Sequence, residues 1–236
     1  MQLLQKIYTY PVAAKNSTDW FRFWAWFFLT VVVLNIVIHI IFEDGDFEEV
    51  VWFCNVSAFC LTYGLLVRKT PLINAILAIA IPTQFFWIGD FILELFGKGM
   101  GRTDWLFETS TLSLTVVLSV LLHGFTIPVS LWATLKLGFS EKAYAWMQPF
   151  CFIMLPVSYY FTNPIGNRNC VFYPCDLSYG RDYFTIIHGN YMTLHYFINI
   201  MFMWIGICTL SFLILSFLFY QWRKWDPKSA PPVAVE

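Results

Sequence analysis

Six stretches of this chain approach the roughly 20 consecutive apolar residues that a helix needs to cross the hydrocarbon core of a bilayer. They fall near 20–42, 50–67, 72–96, 111–135, 143–161 and 197–220. In lipid, backbone N–H and C=O groups are satisfied only within helices or closed barrels. Runs of this length therefore predict an all-α polytopic membrane protein, with six transmembrane helices in one bundle. Composition agrees: 58% of the 236 residues are hydrophobic and 12% are charged, about half the charged share of a soluble domain. The second stretch is short, and the third carries Asp90 and Glu94 near its end. Pro82, Pro128 and Pro156 lie inside stretches and predict kinks, which neighbouring helices make tolerable.

Charge sets the expected orientation. Lys6, Lys15, Arg22, Arg68, Lys69, Lys136, Lys142, Arg223, Lys224 and Lys228, ten of the fourteen basic residues, fall on one side of a six-span layout. The other side receives Lys98, Arg102, Arg168 and Arg181, together with "EDGDFEE", which holds five acids and no base. The positive-inside rule then places both termini in the cytoplasm. The N-terminal residues lack the apolar core and cleavage site of a signal peptide, so the first span is expected to direct insertion. One membrane domain accounts for residues 1–236, with 226–236 expected as a disordered tail. A net charge of −1 argues against a nucleic-acid partner and leaves membrane lipids as the expected one.

Polar side chains are costly in hydrocarbon, so their positions carry information. At helical spacing Asn35 and His39 share a face of the first span, and Cys54, Ser57 and Cys60 crowd one side of the second, beside Asn55. Thr83, Trp87, Asp90 and Glu94 form a stripe on the third, and His188, Tyr191, His195 and Asn199 form another approaching the sixth. Asn163 closes the fifth. His39, Cys54, Asp90, Glu94, Asn163 and His195 all fall in the outer half of the spans or at its rim, which predicts a shared polar chamber. His123 is expected deeper, about 18 Å into the fourth span. All four histidines lie in or beside spans. Each taken singly reads as interhelical glue; together with two carboxylates they point to a functional chamber.

Three chemistries fit these residue types. A cysteine thiolate at Cys54 with His123 as base would make a nucleophilic pair, although a buried cysteine is commonly an inert packing residue. His188 and His195, seven apart, with His39, Asp90 and Glu94 at similar depth, would make a metal-dependent hydrolase site. Seven-span zinc hydrolases use a closer histidine spacing. Buried acids and histidines also serve proton or ion pathways, or simply pair off in a transporter, channel or assembly protein. Separately, Cys170 and Cys175 bracket "VFYP" in the loop before the last span, and on an oxidising side they are expected to form a disulfide.

The run "WFCNVSAFCLTYGLLVRKT" followed by "LLHGFTIP" resembles the YwaF family of six-span bacterial membrane proteins. Cys54, Asn55 and Ser57 match a Cys-x-x-S pattern that opens the family's second span, and His123 and Gly124 match a His-Gly in the fourth. "YYFTNPIG", holding Asn163, resembles a segment after the fifth. Phe53 stands where the family pattern has His. Relatives of that family include a eukaryotic acyltransferase of ether phospholipids that is thought to use a Cys and a His, and, more distantly, the androgen-induced hydrolases of fatty acid esters. The resemblance implies a lipid acyltransferase or hydrolase with catalytic Cys54 and His123, and it calls for no cofactor and no metal.

Overall fold

The computed structural model describes residues 18–42, 50–98, 114–162 and 194–226, which form six helices. These are α1 (Thr18–Phe42), α2 (Phe53–Val67), α3 (Thr70–Glu94), α4 (Leu114–Leu137), α5 (Ala143–Phe161) and α6 (Leu194–Trp225). Four segments are long and apolar enough to cross a membrane: Trp20–Ile41, Thr70–Glu94, Leu114–Leu137 and Phe197–Trp225. This is the signature of a multi-pass membrane protein. The helices α2 and α5 do not reach the same mark. The 15 residues of α2 extend about 22 Å and the 19 of α5 about 28 Å, and α5 carries both Pro149 and Pro156.

Local chemistry sets the helix ends. Between α2 and α3 the chain turns on two residues. Arg68 adopts the left-handed conformation (φ 54°, ψ 41°), and the Lys69 N–H caps the Gly64 carbonyl at 2.8 Å. Pro71 then opens α3, where a missing N–H breaks no helical bond. The expected start of this helix at 72 is therefore two residues late, because an apolar count overlooks the Thr-Pro opening. The α3 helix stops before Gly97 (φ +64°) and α4 before Gly138 (φ +97°). The last helix runs five residues beyond the apolar stretch, since Gln221, Arg223 and Lys224 are good helix formers. Asp226, expected in a disordered tail, donates its N–H to the Trp222 carbonyl at 2.9 Å; residues 227–236 lie outside the described part, as do 111–113 of the expected fourth span.

The bundle is organised around α3, which packs against α2, α4, α5 and α6, while α1 packs against α2 and α4. From Leu72 to Ala80 every side chain of α3 is buried. On one flank Phe28, Val32, Leu61, Leu65, Ile76 and Leu122 form a core joining α1 to α4. On the other, Leu77, Met147, Cys151, Cys208 and Phe212 join α3, α5 and α6. A third group, with Phe53, Leu155 and Phe197 at its centre, ties the start of α2 to α5 and α6. Outward-facing residues are also apolar: Phe202, Leu210, Leu213 and Phe217 are exposed along α6. Such a surface suits lipid rather than water.

One end of the bundle holds both short turns and is tied by polar contacts. Asn74 of α3, fully buried, donates to Thr134 Oγ1 at 2.8 Å and accepts from the Ser140 N–H at 2.7 Å; Arg223 donates to the Phe139 carbonyl at 3.3 Å. These bonds lock the α4–α5 turn onto α3 and α6. At the same end Arg68 lies 5.2 Å from the centre of the Phe21 ring. Gly64 lets α2 and α3 approach closely, since a Cβ there would sit 3.0 Å from Ile73 Cγ1. Several buried hydroxyls satisfy themselves: Thr126, Thr134, Ser158 and Thr162 each donate to the carbonyl four residues back, which removes the penalty of an unpaired O–H.

Candidate functional site

Depth in the bundle follows from helical rise measured from the turn end. Cys54 stands 13 residues from Val67 on α2, about 20 Å, and His123 stands 14 residues from Leu137 on α4, about 21 Å. Gln84 is 14 residues along α3 from Thr70, again about 21 Å. The first helix is registered by Thr62, whose hydroxyl donates to the Ala25 carbonyl at 3.4 Å. Asn35 lies ten residues beyond Ala25, about 15 Å, against about 12 Å from Thr62 to Cys54. In α6, Trp204 meets the Phe53 ring edge-on at 5.6 Å, which sets it at the same height. Five helices thus bring polar groups to one level.

Several of those groups are buried without a protein partner. Asn35 Oδ1, Gln84 Oε1 and the Trp204 indole N–H have no hydrogen bond among the described residues, and Asn35 and Gln84 are 5% and 2% exposed. Each buried orphan of this kind costs about 1–3 kcal/mol unless water or a ligand meets it. Ser130 and Ser211 carry such orphans elsewhere in the bundle, so this level is set apart by the number of helices that bring polar groups to it.

His123 is the most firmly positioned candidate. Its Nδ1 lies 2.8 Å from the Ser119 carbonyl. A carbonyl only accepts, so Nδ1 carries a proton, and in the neutral form of the ring Nε2 is the lone-pair acceptor. The ring stacks on Trp87 of α3 at 4.1 Å and 14°, and Trp87 stacks in turn on Phe91 at 5.7 Å and 4°. One helix turn below His123, Pro128 cannot donate to the Gly124 carbonyl.

Cys54 occupies the second position of α2, half-buried against the core that α1, α2 and α4 share. Asn55 and Ser57 beside it are buried. Although α2 and α4 touch, the described contacts of His123 run to Ser119 and Trp87 rather than to Cys54.

The remaining expected site residues divide. Asp90 is fully buried, and His39 and Glu94 are half-buried towards the end away from the turns. Asn199 is exposed, on the stripe of α6 that also carries Phe202 and Met203, so it faces away from the bundle interior. A helical wheel drawn from His195 alone cannot distinguish that face. His195 lies in α6 but its side chain is outside the described part, as are Asn163, His188, Cys170 and Cys175. Among the described residues no three His, Cys, Asp or Glu side chains gather where they could hold a metal. Cys151 and Cys208 are both free and buried and pack in the same core between α5 and α6.

Sequence reasoning missed Gln84, Trp204 and Asn74. The signal for Gln84 and Asn74 was present, since both are polar residues inside an apolar stretch. The ionisable Asp90 and Glu94 further along α3 are the stronger polar signal. Comparison with protein-family models, with curated proteins and with solved structures finds no match to this chain.

Proposed function

We propose that this chain is a membrane-embedded enzyme of lipid acyl chemistry, a hydrolase or an acyltransferase, with Cys54 as nucleophile and His123 as general base and acid. One observation carries it. The ring of His123 is held on two sides with Nε2 left over, at the height of a cysteine in the first turn of a neighbouring helix. In the first half-reaction Cys54 Sγ attacks an ester carbonyl, the thiol proton passes to Nε2, and the departing alkoxide takes that proton up as an alcohol. In the second, water or another alcohol attacks the thioester, gives its proton to Nε2, and Sγ leaves as the thiolate and is reprotonated. The resemblance of "WFCNVSAFC" and "LLHG" to the YwaF family supports the same assignment. Asn35 and Gln84, polar and buried at this height, would face the polar part of the lipid.

In this reading all six helices cross the bilayer, α2 and α5 with local thinning or by tilting their neighbours, and both termini lie in the cytoplasm. The test is turnover of ether and ester phospholipids and of fatty acid esters by purified protein, wild type beside Cys54→Ala and His123→Ala, with and without chelator. Loss in both variants, indifferent to chelator, is the expected result. Activity that survives Cys54→Ala would overturn the assignment. Sensitivity to chelator alone would move the site to His188, His195 and the acids of α3. Absence of turnover on every lipid would favour a transporter, channel or assembly role instead.

A further inference from the structure

Away from the candidate site, α2 and α5 part towards the turn end and leave a groove of about 460 Å³, within the range of small-molecule sites. Phe59, Cys60 and Tyr63 form one wall, Trp146 and Ile153 the other, and Leu72 of α3 the floor. The lining is almost wholly apolar. From Trp146 to Met154 the groove follows α5 for eight residues, about 12 Å. Its far end is closed where Phe53, Met154 and Leu155 pack with Phe197 of α6.

The mouth has the opposite character. Lys69, exposed in the α2–α3 turn, holds its ammonium 6.0 Å from the centre of the Trp146 ring, and no carboxylate of the described residues forms an ion pair with it. A channel that is apolar along its length, opens sideways, and ends under a cation seated on a tryptophan matches one molecule in a bilayer. That molecule has an acyl chain to fill the channel and an acidic headgroup to meet the lysine.

We infer that the α2–α5 groove is a binding site for an anionic phospholipid, one acyl chain lying between Phe59 and Ile153 and the headgroup phosphate against Lys69. The inference rests on the proposal that α2 and α5 lie in the bilayer, but not on any catalytic step. A bound lipid would complete the thin wall of the bundle at its two shortest helices and give them a partner that the described residues do not supply.

The test is native mass spectrometry of the full-length protein released from detergent, titrated with palmitoyl-oleoyl phosphatidylglycerol or with phosphatidylcholine of the same chains. Wild type is expected to retain phosphatidylglycerol preferentially. Lys69→Gln, a change at an exposed turn, should cut that preference by about fivefold, the worth of one basic residue at a membrane surface. Ile153→Trp should fill the groove and weaken retention of both lipids. Equal retention of phosphatidylglycerol by wild type and both variants would overturn the inference. So would a dimer that Ile153→Trp abolishes, which would give the groove to a second copy. Cys60 separates this failure from failure of the membrane placement: rapid labelling of Cys60 in vesicles by a charged, membrane-impermeant thiol reagent would show that the groove is not in the bilayer at all.

Discussion

Among the described residues, His123 is oriented without a carboxylate. A backbone carbonyl of its own helix fixes the tautomer, and an indole from the next helix fixes the plane of the ring. If the ring acts as base, loosening the indole must lower the rate without removing the base. Trp87→Leu is expected to reduce kcat on a lipid ester about tenfold, a modest fraction of what positioning supplies, with little change in KM and with the pH profile retained. Loss of the pH-dependent limb would instead mean that Trp87 acts on the ring's protonation. This stack was only partly legible. Helical spacing put Trp87 on the same stripe of α3 as Asp90, but nothing in the sequence says which neighbour that stripe faces. The exposure of Asn199 has the same origin, because periodicity groups residues onto a face and packing alone decides where the face points.

At the scale of the elements, the ties between helices concentrate at the turn end. Asn74 bridges α3 to α4 and to the turn before α5 with both ends of its amide. Asn74→Leu keeps the branched shape but leaves the Ser140 N–H without its acceptor, so the variant should lose roughly 2–3 kcal/mol, read as an earlier unfolding midpoint in detergent. An unchanged midpoint would mean that water replaces the amide there. Gly64 tests the packing of α2 on α3. Gly64→Ala places a Cβ 3.0 Å from Ile73 Cγ1 and should destabilise by about 1 kcal/mol. Ile73→Ala in that background should cost less than it does alone, a coupling that a double-mutant cycle measures. Helix existence was legible because six apolar runs are hard to mistake. The ends were not, because Arg68, Gly97 and Gly138 stop helices through backbone geometry that an apolar count ignores. The shortness of α2 was visible in the sequence; the length of α5 was legible as well, and Gln148, Pro149, Pro156 and its Tyr and Trp residues keep it less apolar than the four longer spans.

For the molecule as a whole, the basic residues of the turn end, Arg22, Arg68, Lys69, Lys136, Lys142, Arg223 and Lys224, make the proposed orientation testable. Lys69→Cys and Glu141→Cys, each in a background without other reactive thiols, should be labelled by an impermeant maleimide only from the cytoplasmic side, and Lys98→Cys only from the opposite side. Labelling of Lys69→Cys and Glu141→Cys from different sides would show that fewer than six helices cross. The central claim, that Cys54 carries an acyl group with the help of His123, is tested most directly by trapping that group. Protein incubated with an activated fatty acyl ester would be digested and its acylated peptides mapped. The account predicts a hydroxylamine-labile thioester on Cys54, absent in Cys54→Ala and formed far more slowly in His123→Ala. Acylation spread equally over Cys54 and Cys60, or unaffected by His123→Ala, would contradict it.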